Sequence, residues 1–197
     1  MFRDATLRQT LHMSIGADRI RIQFSNTFGG SDLPITAASV AIPTGTGIGV
    51  NGIDTKTLMG LTFDGASSTT IPRGQVLYSD PVDFKIEPQS MLTVTMYTQA
   101  GQASNKITGH PGSRTTSWMQ QGNKVNETTV TGGNTKHWYV ISATFANYGR
   151  VPIGTNGIFR YFLTAVEAWA PKDTTALIIL GDSITDGRGS DDDHNNR

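Results

Sequence analysis

Residues 18–26 read DRIRIQFSN. Ile20, Ile22 and Phe24 alternate with Arg19, Arg21 and Gln23, the period of two of a strand buried on one face and wetted on the other. Residues 90–98, SMLTVTMYT, repeat the pattern: Leu92, Val94 and Met96 alternate with Thr93, Thr95 and Tyr97, and the β-branched residues suit a pleated surface. Strand signals recur at residues 35–42, 57–63, 76–86, 136–145 and 158–169. Between them lies turn chemistry such as FGGSD, FDGASS, IPRG and VTGGN. No amphipathic helical pattern competes. About seven strands joined by short polar connections predict an antiparallel β-sandwich of jelly-roll type over residues 1–170.

Composition agrees. Charged residues make up only 16% of the 197-residue chain and glycine is abundant at 22, which suits turns and short strands better than salt-bridged helices. Sixteen basic residues balance sixteen acidic ones, so nothing electrostatic points to nucleic acid or an anionic membrane surface. Zero cysteines exclude disulfides, cysteine-ligated zinc and a thiol nucleophile while leaving the compartment open. No stretch approaches the roughly 20 apolar residues of a membrane span, and the opening residues lack the apolar core of a signal peptide. Asn126-Glu127-Thr128 is a glycosylation sequon, usable only if the protein is secreted. GTGIGVNG, residues 45–52, lacks the Lys-Ser/Thr ending of a phosphate loop and reads as a hairpin loop.

The pattern changes after residue 170. Residues 171–175 form a polar, proline-led linker, and ALIIL, residues 176–180, is an unbroken apolar run of the kind that forms a strand buried on both faces of a parallel sheet. Gly181-Asp182-Ser183 follows at once, which puts Ser183 at the C-terminal end of that strand, where open α/β sheets carry their ligands. A serine there is either a helix N-cap, with Thr185 and Asp186 in the first turn, or a nucleophile whose own N–H helps hold an oxyanion.

LGDSITDGRGSDDDHNNR, residues 180–197, resembles the first block of the SGNH, or GDSL-type, esterase and lipase family. Upstream, TLRQTLHMSIGADRIRIQFSNTFG, YSDPVDFKI and HPGSRTTSW are similar to the β-sandwich module that precedes the hydrolase domain in some members. The resemblance implies a sandwich followed by the first strand and nucleophile turn of an α/β/α domain within residues 171–197. Ser183 would be the nucleophile, with its N–H as oxyanion donor, and Gly181 and Asp182 would shape the turn. The family's remaining oxyanion glycine and asparagine and its Asp-x-x-His have no counterpart in these 197 residues. The expected function is therefore the N-terminal portion of a serine carboxylic-ester hydrolase, inactive alone, acting on a small ester or acetylated carbohydrate once completed. No cofactor or metal is implied.

Each histidine can be tested as a substitute base. His194 lies in an acidic loop expected to be solvated, His12 in a predicted turn, and His137 at the start of a strand. His110, in a polar loop with Arg114 and Trp118 nearby, is the candidate to border the ester site. The acidic SDDDHNNR lacks the glycine and glutamate of a calcium loop. In relatives with this sandwich the strand resembling HWYVISA runs almost directly into VEAWAP. Here residues 144–165 are interposed, as either a hairpin extension or a translated, unspliced intron. Unless the aromatic strand 158–169 and ALIIL find partners, both become exposed edges prone to self-association or in need of a second polypeptide. The competing reading is a carbohydrate- or protein-binding sandwich, with Trp118, Trp138 and Trp169 as stacking surfaces; a fragment without function is the third.

Overall fold

β2 (Ala17–Ser25) forms on the alternating stretch, with Ile20, Ile22 and Phe24 fully buried and Arg19 and Arg21 on the opposite face. The structure is a computed structural model that describes residues 1–111, 113–131, 159–187 and 189–194. Among these, strand is the dominant element and the pairings are antiparallel. No helix among the described residues is long and apolar enough to cross a membrane.

The largest sheet is built on β1 (Ala5–Met13) and β9 (Ser90–Thr98), paired along their full length from Ala5 opposite Thr98 to Met13 opposite Ser90. β11 (Ser117–Gln121) flanks β1, and β4 (Ala37–Ala41) then β5 (Met59–Gly60) extend the sheet past β9. A second sheet centres on β2, between β13 (Leu163–Ala168) on one side and β7 (Val76–Tyr78) with β8 (Val82–Ile86) on the other. Two short ladders complete the described strands: β3 (Leu33–Ile35) with β6 (Thr69–Ile71), and β10 (Gly109–Pro111) with β12 (Phe159–Tyr161). Leu7, Leu11, Val94 and Met96 from the first sheet share one core with Ile20, Ile22, Phe24 and Phe84 from the second. At about 1.5–3 kcal/mol for each such side chain, this burial is the main stabilising term.

β1 is the main departure from the expected strand list, and His12 lies within it rather than in a turn. ATLRQTLHM alternates, but the polar Gln9 interrupts its apolar face, and both faces are covered. Leu7, Leu11 and Met13 enter the core, while Thr6, Arg8 and Thr10 are buried against loops and neighbouring strands and are satisfied there. Thr10 and Thr93 share a hydroxyl–hydroxyl bond of 2.8 Å, and the Thr6 hydroxyl donates to the Gly122 carbonyl at 2.6 Å. Arg8, fully buried, donates from Nε to Thr95 Oγ1 at 2.9 Å. Its Nη1 reaches the carbonyls of Asn51 (2.8 Å) and Thr128 (3.2 Å), and its Nη2 those of Glu127 (2.7 Å) and Lys124 (3.4 Å). One fork thus fixes the 45–52 loop and the 124–128 turn over the outer face of the sheet. Burial pushes the guanidinium pKa down to about 10, with the charge of Glu127 opposing.

The 158–169 signal resolves into two strands. Phe162 separates them with φ of 60°, a left-handed conformation costing about 1–2 kcal/mol in a non-glycine residue. The kink buries Tyr161, Phe162 and Leu163 in succession, and Phe162 meets Phe2 edge-on at 5.4 Å. Gln9 anchors the first strand by imitating a backbone partner: its Nε2 donates to the Tyr161 carbonyl (2.8 Å) and its Oε1 accepts the Tyr161 N–H (2.7 Å). The last part of the interposed 144–165 segment is therefore packed into the core. The rest of it, together with the strand expected at 136–145, His137 and Trp138, lies outside the described residues.

Residues 76–86 likewise divide at Asp80-Pro81, where the Asp80 carboxylate accepts from the Thr62 hydroxyl (2.6 Å) and the N–H groups of Gly65 (2.8 Å) and Asp64 (3.0 Å). The 45–52 loop is closed by an antiparallel bridge between Pro43 and Ile53, as a hairpin connection requires.

Candidate active site

The expected strand at residues 176–180 does not form a ladder. Leu177, Ile178, Ile179 and Leu180 are 86%, 89%, 69% and 97% exposed. The reason is the one that defines such strands: an apolar run on both faces needs parallel neighbours and covering helices, and the described residues supply neither.

The turn that follows is nonetheless well formed. Asp182 Oδ1 accepts the Ile184 N–H (2.9 Å), its carbonyl accepts the Asp186 N–H (3.0 Å), and the Ile184 carbonyl accepts the Gly187 N–H (2.9 Å). Gly187, at φ of 89°, ends this single turn in the left-handed region. The capping role given to Ser183 in one reading of the sequence thus belongs to Asp182. Gly181 is required sterically, since a Cβ there would overlap the Thr185 side chain. Ser183 is left exposed on the turn.

Two sets of contacts hold this segment against the β body. His110 Nε2 lies 3.2 Å from Asp186 Oδ2, with the side chains 52% and 46% exposed, so the pair is worth at most about 1 kcal/mol. His110 sits in β10, directly opposite Arg160 of β12, rather than in a loop. Burial lowers the Arg160 pKa. The second set centres on Asp193, whose carboxylate accepts the Thr116 N–H (2.7 Å) and hydroxyl (2.8 Å) while its own N–H donates to the Arg114 carbonyl (2.8 Å). Arg114 Nη1 is 3.5 Å from Asp192 Oδ1. Gly49, at φ of 64°, leaves room for the Asp193 carboxylate where a Cβ would stand, and its carbonyl accepts the Trp118 indole N–H (2.7 Å). Arg114 Nε is buried without a hydrogen-bond partner among the described residues.

The acidic loop is therefore only partly the solvated segment the sequence suggested: Asp191 and His194 are exposed, whereas Asp192 and Asp193 are half-buried at the contact. The structure brings Asp186 of the Gly-Asp-Ser turn to His110, and Asp192 and Asp193 to the 113–116 loop. It does not bring His12 or His194 to Ser183 by any hydrogen bond among the described residues, nor does one join Ser183 to His110. What stands here is a serine on a rigid turn beside an imidazole–carboxylate pair, without the direct contact at about 2.6–3.2 Å that activates a hydroxyl. The resemblance assigned Asp182 to the turn without its capping bond, and sequence reasoning missed the anchoring role of Asp193. An aspartate heading Asp-Ser-Ile-Thr is as good a cap as the serine, but the pairing of Asp193 with Thr116, 77 positions away, leaves no local trace. No protein-family model matches the chain, and no curated protein is significantly similar to it.

Proposed function

We propose that this chain is the N-terminal portion of a serine carboxylic-ester hydrolase of SGNH type, a jelly-roll-like β-sandwich carrying the nucleophile turn of an α/β/α domain. The observation that supports the reading is the exposed run Leu177–Leu180 joined directly to an ordered Gly-Asp-Ser turn. Four large aliphatic side chains in water are a poor end state for a soluble surface and a good beginning for a central parallel strand. In the reaction, Ser183 Oγ attacks the ester carbonyl carbon as its proton passes to a base. The tetrahedral oxyanion collapses with loss of the alcohol, which takes that proton, and water then cleaves the acyl-serine to return the carboxylic acid and free Ser183. The base, its orienting carboxylate and the further oxyanion donors come from a polypeptide that covers residues 176–180. The His110–Asp186 pair borders this site and holds the turn in place.

The test is hydrolysis of p-nitrophenyl acetate together with the intact mass of the preparation. These residues alone turn the ester over at the buffer rate. A preparation that also contains the completing polypeptide hydrolyses it, and Ser183→Ala removes most of that rate. Turnover unchanged by Ser183→Ala overturns the proposal.

A further inference from the structure

We propose a second, separate site: the outer face of the β2 sheet binds an extended, neutral oligosaccharide, stacked on the exposed Trp169 beside the Arg21–Tyr78 pair. The antiparallel register puts Arg19, Arg21 and Gln23 of β2 on one face with Glu167 of β13, Asp83 of β8 and Tyr78 of β7. The guanidinium of Arg21 lies over the Tyr78 ring at 4.3 Å and within 5.9 Å of the Trp169 ring, so the two aromatics bracket one cation. Trp169 is 48% exposed, although its backbone is fixed by an N–H bond to the Arg19 carbonyl (2.9 Å). An exposed indole on a rigid strand end presents a large apolar plane at low entropic cost.

The polar groups around the rings are held in place by one another. Arg21 pairs with Glu167 (2.6 Å), Arg19 with Asp83 (2.6 Å), and Gln23 Nε2 donates to the Tyr78 hydroxyl. Past Trp169 the face continues into a groove of about 460 Å³ walled by Asp18, Lys85, Glu87 and Pro171, with Lys85 and Glu87 paired at 2.9 Å.

The chemistry selects the occupant. Two arginines are matched by two carboxylates, so the face offers no net positive charge to a phosphate backbone. A protein partner of ordinary kind needs an apolar centre to its patch, and the centre here is a guanidinium. A pyranose chain carries apolar C–H faces for the rings and hydroxyl rims that both donate to the carboxylates and accept from arginine, lysine and glutamine. The flatness of a sheet face suits an extended chain rather than a compact one. This site is independent of the ester reading and stands or falls without it.

The experiment is affinity electrophoresis through gels containing hydroxyethylcellulose, xylan or glucomannan, with dextran sulfate as a polyanion control. Wild type is retarded by at least one neutral polymer. Trp169→Ala and Tyr78→Phe retain the wild-type near-ultraviolet dichroism of the core, and Trp169→Ala weakens binding by roughly tenfold or more, as loss of a central aromatic anchor does. Where Trp169→Ala does not fold, oxidation of wild type with N-bromosuccinimide, mapped by peptide mass, decides: the polymer that retards the protein shields Trp169. No retardation by any neutral polymer, retardation by dextran sulfate alone, retention unaffected by a folded Trp169→Ala, or oxidation of Trp169 undiminished by polymer each overturns the proposal.

Discussion

Replacing Arg8 by methionine removes a side chain that ties both the 45–52 loop and the 124–128 turn to the sheet. Four carbonyls, of Asn51, Lys124, Glu127 and Thr128, lose a donor. The carbonyls of Asn51, Lys124 and Thr128 keep the N–H groups of Val130, Glu127 and Ile53, so at about 1–3 kcal/mol for the orphaned Glu127 carbonyl and about 0.5–1 kcal/mol for each of the other three, with the low ends appropriate because these turns lie next to solvent, the loss is roughly 3 kcal/mol. Relief of the buried charge returns part of it, since burial has already lowered the Arg8 pKa to about 10. The net expectation is a loss of about 1–3 kcal/mol, or roughly 2–12 °C in melting temperature for a chain of this size. Urea unfolding followed by tryptophan fluorescence measures it, with the slope unchanged so that the midpoint alone reports stability. Arg8→Lys keeps the charge but cannot span both loops and recovers less than half of the loss. A loss below about 0.5 kcal/mol in Arg8→Met, or full stability in Arg8→Lys, refutes the reasoning.

Three further outcomes are expected. Asp193→Ala frees Thr116, so amide exchange at Thr116 accelerates by about 5–30-fold while global stability changes little, because a half-buried contact of about 1–2 kcal/mol is lost locally. Unchanged Thr116 protection contradicts that. Ile178→Lys and Leu180→Lys, at positions 89% and 97% exposed, shift folding stability by less than about 0.5 kcal/mol but reduce self-association in light scattering; a large stability loss would mean these side chains are packed. Finally, burial raises the Tyr161 phenol pKa well above its ordinary value. The native chain then holds a proton that the unfolded chain releases above about pH 10, so this group makes stability fall as pH rises through that point. Absorbance titration should show at least one tyrosine ionising only on unfolding, and Tyr161→Phe should remove that component.

β2 was legible because one face is wet, whereas β9 is covered on both faces, contrary to the expectation of a wetted one, and stayed legible because its outer face is built from Thr93, Thr95 and Tyr97. β1 was not, because Gln9 interrupts its apolar face and Thr6, Arg8, Gln9 and Thr10 are buried polar residues satisfied by partners 43 to 152 positions away. The kink at Phe162 was invisible for a similar reason, since packing against Phe2 and Tyr161 overrides a local preference that would keep φ negative. At the candidate site, the apolar run and the Gly-Asp-Ser turn could be read directly. The Asp193–Thr116 and His110–Asp186 contacts could not, because each joins short segments more than 70 positions apart that carry no periodic signal.

The proposed role of Ser183 is that of a nucleophile once residues 176–180 are covered. The most direct measurement is labelling with a fluorophosphonate in a preparation that hydrolyses p-nitrophenyl acetate, followed by peptide mass mapping. The account predicts a single adduct on Ser183, absent from Ser183→Ala, and none when these residues are alone. An adduct on any other serine, or ester turnover that persists in Ser183→Ala, contradicts it.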